Sequence, residues 1–465
     1  MLRLQPKRWA SLLLVCLVTG CASTLPTRPS PLADLAPPSF KAQSLSPTVV
    51  PSLVAPASWW TIYADPVLNA LVERANQGNT DIQIAAGRLA HATALSAQAG
   101  ATRQPQVGLG AGVTRLEGPV LNAAGQQGTL LTTGVNLSYE VDVLGRLAQT
   151  RDAAVLDQQS RAALLDSARL LTQTQVVQTY LALRSLDEEA DVLRQNLAAD
   201  HHGLQIQAYR LQAGSISEIE FERLRSESAA SGAEARQLEQ RRVELENALA
   251  VLLGETPSGF QLARADWAGT LPDLPPGLPA QVLVRRPDIT AAQKSLLAAQ
   301  QRLGVAQSAW FPSLALTGSG GFASTDVSTL FSVSMQTWAL GVLANVPLLD
   351  GGRRKAAAAL ADADLMTAAA TYRSHVLVAL REVEDQLSST RQLALQVDAM
   401  QRAWDGAARA SELSAARLRN GSISQLEQLV AERRALHSRR QLVQVRASQY
   451  QASVALLRAM GGGWN

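Results

Sequence analysis

Residues able to carry chemistry are few and scattered in this chain. His201 and His202 are adjacent, so on a helix their side chains point about 100° apart and are poorly placed to share one metal ion. His91, His375 and His437 lie far from them and from one another, and the five Met are dispersed. No Ser/His/Asp spacing, phosphate-cradling glycine loop or carboxylate pair stands out, so catalysis is a poor expectation and no cofactor or resident metal is called for. Two Cys are too few for a disulfide scaffold or a multi-Cys zinc or iron–sulfur centre. The 42 Lys+Arg against 39 Asp+Glu give a formal net charge of +3, and no basic cluster with interleaved aromatics suggests nucleic acid.

One cysteine has chemically suggestive surroundings. Arg3, Lys7 and Arg8 precede an apolar run, Ala10 to Val18, that is much too short to span a bilayer. The run ends in Val18-Thr19-Gly20-Cys21, which resembles a bacterial lipobox, with Val18 at the position usually held by Leu. That resemblance implies a signal peptide over residues 1–20, cleavage before Cys21, and acylation of its thiol and new amine. Ala22 rather than Asp follows, which implies outer-membrane sorting. Each buried CH₂ of such an anchor contributes ~0.8 kcal/mol. The alternative is an ordinary signal peptide with an incidental Cys. With Cys21 as the single cysteine of the mature chain, an oxidising periplasm has nothing to cross-link.

The elements that follow repeat. Residues 21–66 read as a Pro-rich linker holding nine of the twenty prolines, and 255–287 as a second proline-rich, waist-like segment. An offset of 207 residues (Asp81 to Asp288) superposes landmarks without gaps. Pro105 falls on Pro312, Gly145-Arg146 on Gly352-Arg353, Gly214 on Gly421, and Gly254 on Gly461. Two copies of one unit are therefore expected, 67–254 and 288–465. Each should contain a moderate helix (Val67 to Thr102; Asp288 to Ala309), two strands of period-two alternation, a long helix and a shorter return helix. In the first copy Val107, Leu109, Ala111 and Val113 alternate with Gln106 and glycines, and Val135, Leu137, Tyr139 and Val141 with Asn136, Ser138 and Glu140. The long helix, Arg146 to Ala213, should run about 100 Å. It carries a seven-residue apolar stripe: Leu156, Ala163, Leu170, Val177, then after a one-residue slip Leu183, Ala190, Leu197, Leu204 and Leu211. The return helix is expected over Ile216 to Leu253.

Four strands per chain cannot close a membrane barrel, and unpaired edges cannot face lipid. Several chains must pool strands; three would supply twelve. The strand lengths suit a bilayer crossing, and the Gly-, Ser-, Thr- and Asn-rich face would line water. The expected fold class is thus mixed all-α plus transmembrane β: a trimeric 12-stranded barrel continued by a periplasmic α-helical coiled-coil barrel. Such a tube is a conduit.

Specific stretches then resemble a known family. Trp59-Trp60, YEVDVLGR (Tyr139 to Arg146), LVRRPDI (Leu283 to Ile289), FPSLALTG (Phe311 to Gly318), VPLLDGGR (Val346 to Arg353) and GGGW (Gly461 to Trp464) are similar, in order, to motifs of the TolC-like outer-membrane efflux lipoproteins. These are the outer-membrane factors of tripartite RND-type pumps, and the likeness is to the NodT-like subfamily. The resemblance implies a homotrimer in outer-membrane lipid, a periplasmic adaptor, an inner-membrane pump, and passive export of small toxic compounds or drugs. A duct for type I protein secretion and a lipid-anchored periplasmic tether are the alternatives. The lipobox leans against the first and the strands against the second. The dispersed Met give no argument for copper or silver as cargo.

The resemblance also assigns residues. Arg210, Gly214, Arg417 and Gly421 sit at the two hairpin tips, where turn chemistry alone also explains the glycines; the family match adds adaptor docking. Family members narrow the periplasmic entrance with acids just past the second tip. Glu427 matches one such acid, whereas Val430 stands where the next would be. Leu426 beside Glu427, and Glu220, its repeat mate, complete the gate candidates. A solvated helix surface is the alternative for both acids.

Overall fold

The computed structural model describes residues 40–41, 58–117, 127–265, 271 and 284–462. The leader and Cys21 lie outside them. A 3₁₀ turn, Trp59–Tyr63, opens the described core. Helices α1 (Pro66–Gly78) and α2 (Thr80–Ala101) lead into β1 (Gln106–Glu117) and β2 (Gln127–Val141). The long α3 (Arg146–Gln212) and return helix α4 (Glu218–Leu252) complete the first copy. The second copy has α5 (Pro287–Ser308), β3 (Ser313–Ser324), β4 (Gln336–Asn345), α6 (Arg353–Arg419) and α7 (Gln425–Ala459). Both long helices have 67 residues and both return helices 35. All four keep the same offset.

The single moderate helix expected over Val67 to Thr102 is instead two. Asn79 breaks it with an extended backbone, and its side chain accepts from Asp81 N and Ile82 N at 2.9 and 3.2 Å. The break serves packing at a distance. Asn79 Nδ2 donates to Leu252 O, the last residue of α4, at 2.9 Å. Gly78 also lies so close to Gly254 that a Cβ on either would strike the other strand of backbone. Gly254 is itself left-handed (φ 76°), which a glycine adopts without strain.

The strands form one antiparallel sheet in the order β1-β2-β3-β4, so its two edges are β1 and β4. Helices α2, α4, α5 and α7 flank α3, the first pair on either side of its length being α2 and α5 near the sheet and α4 and α7 near the far end. Every member of the expected apolar stripe on α3 is buried or half-buried. The main core sits at the waist, where Trp59, Tyr63, Leu68, Val176, Leu249 and Leu456 pack together. Tyr63 and Ser453 share a 2.8 Å hydrogen bond there. Tyr180 donates to Asp65 Oδ2 at 2.6 Å, and Asp65 in turn caps α1 through Val67 N. Burial, seconded by that hydrogen bond, pushes the Tyr180 phenol up to about 12, so it stays a donor throughout the neutral range.

Candidate functional site

The sheet register sorts side chains into two chemically distinct faces. Val107 pairs with Leu137, Leu137 with Gly318, and Gly318 with Leu340; Leu109 pairs with Val135 and Leu316 with Val342. Partners across an antiparallel ladder share a face, so these apolar residues form one surface. Leu109 is 83% exposed and Trp338 79%, so this apolar surface is open along the whole sheet. Residues one step along, Gly110↔Gly134, Asn136↔Ser319 and Thr317↔Gly341, form the small polar face. Gly134 and Gly321 meet where β2 of the first copy joins β3 of the second. A Cβ on Gly134 would lie 2.6 Å from Gly320 O, so the seam between the copies requires glycine.

Carboxylates join this sheet to the long helices. Asp142 accepts from Leu147 N and Ala148 N at 3.0 and 2.7 Å, and Glu140 from Arg146 at 2.7 Å. In the second copy Asp350 accepts from Arg354 N and its Nε, and the Arg354 guanidinium lies 4.6 Å over Trp310. Hydrogen bonds from the Arg354 side chain and then its backbone hold the Asp350 carboxyl below the usual carboxylate range. Gly145 and Gly352, both left-handed, turn the chain from strand into helix.

The hairpin tips lie at the opposite end. Ser215 N donates to Arg210 O at 2.8 Å and Gly214 N to Leu211 O at 2.9 Å. The second tip repeats this with Ser422 N to Arg417 O and Gly421 N to Leu418 O, both 2.9 Å. Each is a Schellman end with glycine in the left-handed position (φ 66° and 71°). Arg210 and Arg417 are exposed, so the two tips present guanidinium groups and open glycines to solvent. The side chains of His202 and Gln425 meet at 3.1 Å between the hairpins.

Glu427 is engaged locally. Its carboxylate accepts from Ser424 N at 2.8 Å while Ser424 Oγ accepts from Glu427 N at 3.2 Å, a capping box at the start of α7. Glu220 holds the matching place in α4, where its backbone N–H donates to Ser217 Oγ. Both acids are exposed and Leu426 is half-buried. Val430 lines a groove with Val192, Leu193 and Arg433.

Sequence reasoning missed the ion pairs just behind the tips. Arg433 on α7 reaches Asp200 on α3 (Nε to Oδ1, 3.0 Å) and Glu227 on α4 (3.0 Å). The Asp200 side chain is 0% exposed, and neither oxygen accepts a well-aligned hydrogen bond among the described residues. The Arg433 hydrogen bond, against some burial, holds Glu227 below its ordinary value. Arg440 likewise bridges Glu189 and Glu234. A signal was present: Asp200 lies three residues after Leu197 and four before Leu204, within the apolar stripe. Among the described residues no group of three His, Cys, Asp or Glu could hold a metal ion.

The two copies of the unit are separately recognisable as the family described as outer membrane efflux protein, matched over residues 71–255 and again over 278–462. The chain belongs to the outer membrane efflux protein family. It is 31% identical to the pyoverdine export outer membrane protein OpmQ of Pseudomonas putida, over 99% of this chain and 98% of that protein. It is 27% identical to the probable outer membrane lipoprotein SilC of Salmonella typhimurium, over 97% of each. Among solved structures, the outer-membrane channel OprN superposes with a TM-score of 0.85 at 28% identity, over 94% of this chain and 99% of that one. The two-faced sheet and paired helical hairpins are therefore the protomer of a TolC-like outer-membrane channel.

Proposed function

We propose that this outer membrane efflux protein is the exit duct of a tripartite pump that exports small toxic compounds. The carrying observation is the sheet: one apolar face, one small polar face, and two open edges, continuous with helices about 100 Å long. Three copies would join β4 of one protomer to β1 of the next, closing twelve strands around a water-filled lumen. An open edge in lipid would leave backbone groups unsatisfied, which supports closure by further copies, and three copies match the homotrimer that the family likeness implies. Acylation at Cys21 would tether the protein to the outer membrane, a reading supported by the lipobox and by the likeness to a lipoprotein.

Selection of cargo is assigned to the inner-membrane pump, because the polar face carries few charged groups to discriminate with. Arg210, Gly214, Arg417 and Gly421 would dock the periplasmic adaptor, supported by their exposure and by the identical Schellman geometry of the two tips. Glu427, with Leu426 and Glu220, would narrow the periplasmic mouth. The test is purification followed by native mass measurement and planar-bilayer recording: trimers with stable unitary conductance are expected. A non-conducting monomer in detergent would sink the duct. Gly421→Trp should lower drug export in cells at unchanged trimer yield, and normal resistance would remove the docking role.

A further inference from the structure

The outer end of the sheet carries a patch that conduction does not use. Phe322 lies on the apolar face of β3, paired with Thr133 and Gln336. Phe331, in the loop between β3 and β4, packs edge-on against it, with ring centroids 5.6 Å apart and planes at 67°. The loop therefore folds back over the apolar face and away from the polar one. Val327, Phe331 and Val333 on this loop are 73%, 73% and 80% exposed. Three large apolar groups left in water forgo the burial that apolar surface favours.

The apolar face of β1 ends in a cation. Arg115 follows Val107, Leu109, Ala111 and Val113 at period two, opposite Thr129, at the same end of the sheet as the loop. It is exposed and has no ion pair among the described residues. Closing the barrel sets β1 of one copy against β4 of the next, which brings Arg115 beside the neighbouring copy's loop. Asp326 is the nearby acid of the loop, and its Oδ1 is occupied by Ser328 N and Oγ, both at 2.8 Å.

We infer that this rim binds an anionic lipid of the outer leaflet that bears a phosphomonoester, unlike a zwitterionic phosphodiester lipid, its acyl chains against Val327, Phe331 and Val333 and the phosphomonoester on Arg115. A guanidinium matches phosphate bidentately, and aromatic groups favour the membrane interface. The patch continues the lipid-facing surface of the barrel, so the inference rests on the channel reading above.

The test uses the full chain in phosphatidylcholine vesicles with or without bisphosphorylated lipid A. A nitroxide at Phe331→Cys, read against the labelled unsubstituted protein, should collide with dissolved oxygen far more than with an aqueous nickel complex. The reverse would place the loop over the aqueous mouth and overturn the inference. Separately, lipid A should raise the temperature at which trimers dissociate by several degrees, and Arg115→Gln should lose at least half of that rise. An equal rise in the variant, or the same rise from inorganic phosphate alone, would overturn the lipid phosphate site. Conductance separates the two readings. A wild type that does not conduct refutes the duct, whereas a conducting Phe331→Cys protein with a water-exposed label refutes only the lipid contact.

Discussion

Asn79 and Arg286 hold the same place in the two copies and do the same job with different chemistry. Asn79 Nδ2 donates to Leu252 O at 2.9 Å, and Arg286 Nη1 donates to Ala459 O at 3.1 Å. Each therefore ties the start of a sheet-side helix to the last residue of a return helix. Arg286 additionally pairs with Asp288 and Glu382, both at 2.7 Å, while being 8% exposed. Asn79→Ala removes a cap and a cross-link and should cost about 1–2 kcal/mol. Arg286→Ala leaves Asp288 without its cation and Glu382 with only Arg458 at 3.5 Å, and should cost about 3 kcal/mol. Denaturant titration of the solubilised protein ranks the two, and equal losses would contradict the difference in chemistry.

The same cluster predicts acid sensitivity. Burial works against ionisation of Asp288, but the Arg286 hydrogen bond and charge outweigh it, and its carboxyl sits below the ordinary value of 3.8. A folded value below the unfolded one gives stability that is fully present above about pH 4 and fades as pH falls through the folded value. Glu227, held low first by Arg433, acts in the same direction. Thermal midpoints should be flat from neutral pH to about pH 5 and fall below pH 4. Arg286→Gln should flatten that fall; an unchanged acid limb would assign it to other carboxylates.

The left-handed glycines are not equivalent. At Gly254 a Cβ would strike the Gly78 backbone, and at Gly461 it would lie 3.1 Å from Arg285 O, whereas at Gly214 and Gly421 nothing lies within 4 Å. Gly214→Ala should cost only the conformational strain, about 1–2 kcal/mol. Gly254→Ala adds a backbone collision and should prevent recovery of folded trimer. Comparable yields for the two would show that the waist can give way.

Much of this architecture was legible in the chain. The offset of 207 residues from Gly214 to Gly421 survives as matched Schellman ends, and the alternation from Val107 to Val113 survives as one face of β1. The break at Asn79 had a local signal, Gly78 followed by an N-cap Asn, but the close approach of Gly254 from beyond α4 that it accommodates was not legible. The role of Arg286 was hidden for the same reason: Glu382 and Ala459 are far away in sequence. At the candidate gate, Glu427 is singled out only by its place after the second tip. Its capping partner Ser424 was equally visible, three residues earlier, and gives it a local task as well.

That double role can be separated. Gln at the third helical position still completes a capping box, so Glu427→Gln should leave stability nearly unchanged while removing the charge. If three such carboxylates ring the periplasmic mouth, the variant should lose cation preference in a reversal-potential measurement across a salt gradient. Identical selectivity would leave Glu427 a helix cap and nothing more.

For the anchor, Cys21→Ser should abolish palmitate labelling and lower the fraction recovered with outer membranes. Labelling that persists in the variant would place the lipid elsewhere.

The equal lengths of α3 and α6, and of α4 and α7, bind the two halves to a common gauge. One residue inserted into α3 alone would push its tip about 1.5 Å deeper and swing everything beyond the insertion by about 100°. The rim presented to any partner would then alternate between high and low tips, and Arg433 would lose its alignment with Asp200. A change of reach in this protein therefore has to be made twice, at matching points, leaving the tips level only when both halves are altered together.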